Sequence, residues 1–239
     1  KKSLAMRRDE WVVTVVSAIL LWNGGNGLVT WAEQRAESGY TALVIGTTPL
    51  WGAVVASVLR RRRPGGKLIV SLLIRFAGLA VLTLPRMREG GHADVWSLAA
   101  LLGAPVMWSL GSAYQQRRQL TQPILVSSAY QQVIGGTVFL LLALLTREPW
   151  PQPAPEAWAA WGYLVVFGSV IAFTAYVTAL RALPLPVVMT YAYVNPVIAV
   201  FLGWLLLDEV ITWETIAGTI LILAGVAALF HERFRARRT

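Results

Sequence analysis

The residues that could do chemistry lie mostly outside the long apolar runs of this chain. The twelve Asp and Glu residues fall in tails, loops or near the ends of apolar runs, and His92 and His231 lie in a loop and a tail. A hydrolytic site needs a base beside its nucleophile, and proton-relaying pumps usually carry an ionisable group inside a span. The chain has no cysteine for a thiolate metal site. The pattern therefore argues against an enzyme and predicts no catalytic residue, metal or cofactor.

Neutral polar side chains are what the apolar runs do contain. The strongest case is Trp-Asn-Gly-Gly-Asn-Gly at 22–27. An unpaired amide is costly in lipid, so Asn23 and Asn26 must face protein or water, and the glycines permit close backbone approach. Two interpretations stay open: a substrate-facing wall of hydrogen-bonding groups, or polar contacts that join helices. Four glutamines are expected to make such interhelical contacts: Gln115, Gln116, Gln131 and Gln132.

Two prolines lie in the middle of apolar runs, Pro49 after Thr48 and Pro196 after Asn195. Proline removes a backbone donor, so we expect each helix to kink there, either as a hinge of a transport cycle or as an ordinary membrane-helix kink. Aromatic side chains could complete the walls of a cavity, with core packing as the alternative for each: Trp51, Trp108, Tyr176, Tyr191 and Tyr193.

Composition and run length predict an all-α, polytopic membrane bundle. The chain is 56% hydrophobic and 14% charged, with eleven tryptophans, and its mean hydropathy is +0.58. Runs of roughly 20 apolar residues match the hydrocarbon core of a bilayer. The sequence predicts eight spans, at about 11–32, 39–59, 67–85, 94–117, 122–146, 156–180, 185–207 and 213–230.

The basic residues predict how these spans are oriented. The net charge of +9 could suggest nucleic acid, but Lys and Arg cluster between apolar runs, which excludes a nucleic-acid-binding face. Loops on one side carry 16 of the 21 Lys and Arg residues and loops on the other side carry four, while Arg75 lies within a span. We expect a multi-pass protein of the cell (inner) membrane with both chain ends in the cytoplasm, and Arg75 reaching the interface.

A faint internal repeat has an offset of 147 residues. It aligns Pro196 with Pro49, and Ala224 and Gly225 with Ala77 and Gly78. It predicts two domains: residues 1–93, with three helices of a first repeat, and residues 94–239, with five helices of a second repeat and a basic tail. Two further helices are then expected before residue 1. Because five is odd, the two repeats would insert in opposite orientations.

Three segments resemble the EamA-type exporters of the drug/metabolite transporter superfamily. They are GGNGLVTWAEQRAESGYTALVIGTTPLW (24–51), MWSLGSAYQQRR (107–118) and NPVIAVFLGWLLLDEVITWETIAGTILILAGV (195–226). The resemblance implies ten helices in two inverted repeats and a central cavity lined by the helix that carries Asn23. The chain departs from the family pattern at Arg61 and Arg62, where Gly-Glu is frequent, and at Arg75.

Two hypotheses for function follow. The first is a secondary transporter that exports small amphipathic metabolites or drug-like compounds, with amino-acid-like solutes favoured, by alternating access. The second is a non-transporting membrane scaffold or an inactive, truncated relic. A reading frame that continues upstream through two more apolar runs would favour the transporter over this second hypothesis. Predicted partners are a small-molecule substrate, anionic lipid at the basic loops and, in some cases, a second copy. The predicted substrate contacts are Asn23, Asn26, Thr48, Trp51, Trp108, Tyr191 and Asn195, with Pro49 and Pro196 as hinges.

Overall fold

Helices make up the architecture of the computed structural model, which describes residues 6–36, 41, 44–61, 65–88, 94–118, 120–207 and 211–236. Every regular element within these ranges is helical, which confirms the predicted all-α fold. The helices are α1 (Arg8–Ala32), α2 (Thr48–Arg60), α3 (Gly66–Arg88), α4 (Val95–Arg117), α5 (Ile124–Thr146), α6 (Pro155–Ala182), α7 (Leu185–Val188), α8 (Tyr191–Leu207) and α9 (Trp213–Ala236).

Several of these helices have the length and composition of membrane spans. Four described helices are long and apolar enough to cross a bilayer, namely α1, α4, α5 and α6. In the 18-residue apolar stretch of each helix, only 11% of the residues of α5 and 17% of those of α6 are buried in the protein. Exposed apolar surface of this extent suits a lipid environment. The chain is a multi-pass membrane protein.

Two predicted spans differ from the helices that form. Within the predicted span 39–59, α2 begins only at Thr48, so Pro49 lies in the first turn of a helix and not at a kink. Proline is favoured there because its missing N–H is one that a helix start leaves unpaired. The predicted span 185–207 is divided into α7 and α8 by a turn at Met189 and Thr190. The Thr190 hydroxyl donates to the Val187 carbonyl (2.7 Å), while Pro196 lies inside α8.

The sequence did not predict that α1 and α6 each contain a stretch of wider, π-helical turns. We call these the first π segment, Ile19–Gly27, and the second π segment, Leu164–Ala172. In a π turn each N–H bonds five residues back, which redirects side chains and frees carbonyls, and such turns occur frequently at functional sites. The residues singled out at 22–27 therefore lie in a backbone of altered geometry.

Helix boundaries recur at the offset of the sequence repeat. Three pairs of helix ends are each 147 residues apart: the starts of α1 and α6 at Arg8 and Pro155, the ends of α2 and α8 at Arg60 and Leu207, and the starts of α3 and α9 at Gly66 and Trp213. The two π segments differ from this offset by only two residues. The division into repeats 1–93 and 94–239 stays a prediction.

Glycine permits close packing of helices, for example between α3 and α9 and between α1 and α4. A Cβ at Gly78 of α3 would lie 2.8 Å from Leu221 Cβ of α9, and a Cβ at Gly111 of α4 would lie 2.9 Å from Leu20 Cβ of α1. Carbon atoms cannot approach that closely, so glycine sets both helix separations. The α1–α4 pair carries three of the seven predicted substrate contacts, namely Asn23, Asn26 and Trp108.

Candidate functional site

Three aromatic side chains from different helices meet in the interior. Trp108 of α4 lies 5.3 Å from Tyr176 of α6, measured between ring centroids, and Tyr176 lies 5.5 Å from Tyr191 of α8 in an edge-to-face arrangement. The Tyr176 hydroxyl and Ser112 Oγ are 2.5 Å apart. We call Trp108, Tyr176, Tyr191 and Ser112 the aromatic group. It brings two predicted site residues, Trp108 and Tyr191, together through Tyr176.

The aromatic contacts continue to the first π segment. Phe173 stacks on Tyr176 at 6.2 Å, and Trp22 meets Phe173 edge-on at 4.9 Å. Such pairs contribute about 0.5–1.5 kcal/mol each beyond the burial of their area. The arrangement offers ring faces, ring edges and hydroxyl groups, which can bind an apolar or amphipathic solute.

Glycine in the first π segment lets Trp108 approach α1. A Cβ on Gly25 would lie 2.7 Å from Trp108 Cε3, and a Cβ on Gly24 would lie 2.9 Å from Met107 Cβ. Either contact would be repulsive. The absence of side chains at Gly24 and Gly25 therefore leaves room for α4, and the indole of Trp108 lies against the first π segment.

Thr48 and Trp51 lie on α2, beside the same stretch of α4. Thr48 is buried, and its hydroxyl donates to the carbonyl of Ile45 (2.5 Å), as expected for a threonine at a helix start. The Thr48 carbonyl accepts a long hydrogen bond (3.5 Å) from Ser109, the neighbour of Trp108. Trp51 is half-buried and lies one turn further along α2.

In the described ranges, no hydrogen bond joins the three predicted asparagines to the aromatic group. Asn23 Nδ2 donates to the Gly135 carbonyl of α5 (3.1 Å), and its Oδ1 is buried without a partner among the described residues. This contact is the interhelical alternative that the sequence left open. Asn26 and Asn195 are exposed. The structure thus groups Trp108 with Tyr191 through Tyr176 and joins the Thr48 carbonyl to the neighbour of Trp108. Asn195 stands one turn after Tyr191 on α8.

Other buried polar groups join the helices, as predicted for three of the four glutamines. Gln131 Nε2 donates to Ser17 Oγ of α1 (2.6 Å), and Gln132 Nε2 donates to the Ser169 carbonyl of the second π segment (3.0 Å). Gln116 Nε2 donates to two carbonyls near the end of α6. The amide of Gln115 is buried and has no partner within the described part of the chain.

Sequence reasoning missed Ser112 and Phe173. Ser112 stands four residues after Trp108, a spacing that places both side chains on one helix face, so a signal existed. Phe173 stands three residues before Tyr176, with the same consequence. Neither spacing reveals which other helix they face.

Two carboxylates, of Asp94 and Glu10, accept hydrogen bonds near the starts of helices. Asp94 caps α4: its carboxylate accepts from Ser97 Oγ (2.7 Å) and from the backbone N–H groups of Trp96 and Ser97, and these bonds lower the pKa of Asp94 below its usual 3.8. Glu10 accepts from the backbone N–H and hydroxyl of Thr121. Among the described residues no group of three His, Asp or Glu side chains could hold a metal ion.

Comparison with known proteins identifies the class. The model of the EamA-like transporter family matches residues 95–230, more than half of the chain. The chain therefore belongs to the EamA-like transporter family, which confirms the resemblance found in the sequence.

Individual relatives add detail. The chain is 32% identical over 192 residues to the uncharacterized inner membrane transporter YedA of Escherichia coli K12, covering 77% of this chain and 60% of the relative. It is 25% identical over 249 residues to the S-adenosylmethionine/S-adenosylhomocysteine transporter of Chlamydia trachomatis serovar L2, covering 98% and 75%. A solved crystal structure shares the fold, with a TM-score of 0.79 and 22% identity over 94% of this chain and 78% of its own. The chain spans about 60% of the length of YedA.

Proposed function

We propose that this chain forms a secondary transporter that exports small amphipathic solutes, amino-acid-like ones foremost, by alternating access. Family membership supports the transport activity, and YedA and the chlamydial relative are both named as transporters. The chlamydial relative is named for two solutes that each carry an amino-acid moiety, which supports the favoured solute class.

The aromatic group is the observation that carries this proposal. It joins α4, α6 and α8 in the interior, and its four side chains are neutral. A neutral, aromatic and hydroxyl-bearing site suits zwitterions or apolar solutes better than polyanions. Our proposed substrate contacts remain Asn23, Asn26, Thr48, Trp51, Trp108, Tyr191 and Asn195, to which we add Tyr176 and Ser112.

The proposed mechanism is rocking of repeat 1–93 against repeat 94–239, as in other inverted-repeat transporters. The helix ends that recur at the offset of 147 residues support it, because equivalent helices would then flank the site from both repeats. Pro49 at the start of α2 and Pro196 within α8 are the proposed hinges. In this proposal both chain ends face the cytoplasm, where the basic loops contact anionic lipid.

Efflux from loaded cells tests the transport proposal. Cells are preloaded with labelled amino acids and a fluorescent cationic drug, and express either this chain or the full reading frame that contains it. We expect the full frame to lower the retention of one compound class relative to vector. Unchanged retention, with both proteins present in the membrane, would remove these substrate classes from the proposal.

A second candidate function is a non-transporting membrane scaffold. The exposure of Asn26 and Asn195 favours it, because amide groups that face lipid are costly and need a covering partner. A second copy of this chain is one such partner. Alanine at Asn26 or Asn195 separates the candidates: loss of transport with normal membrane insertion supports the transporter, whereas loss of self-association with no transport in the parent protein supports the scaffold.

A further inference from the structure

A small cavity lies between α2, α4 and α7, at an end of the bundle rich in arginine. Its volume is about 70 Å³. Polar side chains form its rim, and small or apolar ones form its floor. The rim consists of Arg60, Gln116 and Arg117, and the floor is formed chiefly by Ala56, Ala113 and Leu185.

The rim carries positive charge without a paired acid. Arg117 donates to the Leu59 carbonyl at the end of α2, which fixes its guanidinium beside Arg60. Neither arginine forms an ion pair with an acid in the described part of the chain. A guanidinium has five N–H donors in a planar fork, so most donors on this rim are left to bind an anion.

Gln116 closes one side of the cavity. Its Nε2 donates to the carbonyls of Leu180 (2.9 Å) and Leu183 (2.7 Å), and these bonds fix its side chain against the end of α6. The rim thus comes from two helices, α2 and α4, and side-chain hydrogen bonds join α4 to α2 through Arg117 and to the end of α6 through Gln116.

The floor belongs to the apolar core that separates the rim from the aromatic group. Ala113 and Leu185 are 3% and 2% exposed and pack in one cluster with Met189. Trp108 and Tyr176 pack against the same cluster, as Ala56 and Leu59 do. A ligand on the rim would therefore have an apolar floor beneath it, on the way towards the aromatic group.

We propose that this cavity is an anion-binding pocket for a carboxylate or phosphate head group on a short apolar stem. The head would bind Arg60 and Arg117, and the stem would contact Ala56, Ala113 and Leu185. The volume exceeds the roughly 10–15 Å³ that a cavity needs to hold one water and is well below the roughly 300 Å³ of a site for a whole drug-sized ligand. The head group can come from a soluble solute or from a lipid. That the pocket is the first docking point of a transported solute rests on the proposed function.

Photolabelling in nanodiscs tests the pocket without requiring transport. The probe is 4,4-azipentanoate, a short carboxylate with a diazirine on its stem, and labelled peptides are mapped by mass spectrometry. We expect saturable labelling of the segments around Ala56, Ala113 and Leu185. Butanoate should compete, whereas butylamine, which has a similar stem and the opposite charge, should not.

Charge variants make the test specific. Arg117→Gln should weaken the apparent affinity for the probe about tenfold, as for loss of a charge-assisted pair, and Arg117→Lys should weaken it less. Arg118→Gln is the matched control, because Arg118 is also exposed and does not line the cavity. If Arg117→Gln fails to yield monodisperse protein, Arg60→Gln and the floor-filling Ala113→Leu take its place.

The outcomes of the competition experiments distinguish a lipid from a soluble solute as the source of the anion, and they show whether the pocket binds an anion at all. Displacement of the probe by dioctanoylphosphatidylglycerol, with no displacement by butanoate, would identify a lipid head group, and the converse would identify a soluble carboxylate. Labelling that is not saturable, that butylamine displaces equally, or that survives removal of both arginines would overturn the pocket. A failure of cellular efflux with intact labelling would contradict only the proposed function.

Discussion

The two π segments have the same kind of backbone in different surroundings. The first, in α1, holds Trp22, two asparagines and three glycines, and packs against α4 and α5. The second, in α6, reads Leu-Val-Val-Phe-Gly-Ser-Val-Ile-Ala and has no buried residue. Similar placement along equivalent helices therefore does not imply similar chemistry. We infer that polar and close-packed chemistry is concentrated in the first segment, whereas the second faces outward with apolar side chains.

The largest expected contrast lies between glycines of the two segments. Gly25→Ala places a Cβ 2.7 Å from the Trp108 ring, and overpacking of this kind costs about 1–3 kcal/mol of unfolding free energy. At Gly168 a Cβ meets nothing within 4 Å, so Gly168→Ala should be neutral or stabilising by up to about 1 kcal/mol. Thermal unfolding in detergent measures both. Equal destabilisation by the two variants would contradict the comparison.

A smaller contrast is expected for the polar side chains. Asn23→Ala removes the hydrogen bond to the Gly135 carbonyl and should cost about 1 kcal/mol or less. Ser169→Ala in the second segment keeps the backbone carbonyl that accepts from Gln132, so its effect should stay within about 0.5 kcal/mol. Denaturant titration of both variants measures the loss of unfolding free energy in each. A larger loss for Ser169→Ala than for Asn23→Ala would show that Asn23 does not join α1 to α5.

A local effect is expected at the start of α1. Glu10 accepts hydrogen bonds from Arg7 N and from Thr121, whereas α6 starts with alanine at the equivalent position 157. Glu10→Ala should speed amide hydrogen exchange in the first turn of α1 and at Thr121, with Ala157→Ser in α6 as the control. Unchanged exchange in the first turn of α1 would show that Glu10 does not fix this helix end.

The smallest effect concerns helix starts that differ in their caps. α4, which supports the first π segment, starts at the capping carboxylate of Asp94, whereas α6 starts after Ala154 without a side-chain cap. Because the pKa of Asp94 is lowered in the folded protein, its ionised form contributes stability above its ordinary value of 3.8. This contribution is lost as the pH falls through the lower folded-state pKa.

The Tm advantage of the parent protein over Asp94→Asn should therefore be present at pH 7 and pH 5 and should shrink below about pH 3.8. Asparagine is a comparable N-cap, so this variant removes the charge and keeps the cap. An advantage that grows on acidification would contradict the assignment.

The membrane architecture could be predicted from the sequence because it depends on local composition. Run length and hydropathy predict α1, α4, α5 and α6 closely, whereas Pro49, predicted to kink the middle of a helix, lies in the first turn of α2. The π segments could not be predicted, since wide turns depend on what packs against a helix, and the two segments share no sequence pattern.

The candidate site could be predicted only in part. Trp108 and Tyr191 were named for residue type and position, but their meeting depends on Tyr176, which is 68 residues from Trp108 along the chain. Asn23 was named for its polarity, and its partner, the Gly135 carbonyl, is a backbone atom 112 residues away. A single sequence gives the chemistry of each side chain, whereas tertiary packing determines which residue of another helix that side chain contacts.

The most direct test of the central claim compares two tryptophans in an efflux assay. Trp108 lies in the aromatic group, while Trp161, a tryptophan of α6, is exposed and contacts Trp158. Trp108→Ala and Trp161→Ala are expressed in the full reading frame at matched membrane levels. The account predicts that Trp108→Ala abolishes most efflux of the transported compound class and that Trp161→Ala leaves it near the parent level. Normal efflux by Trp108→Ala would contradict the assignment of the aromatic group as the substrate site.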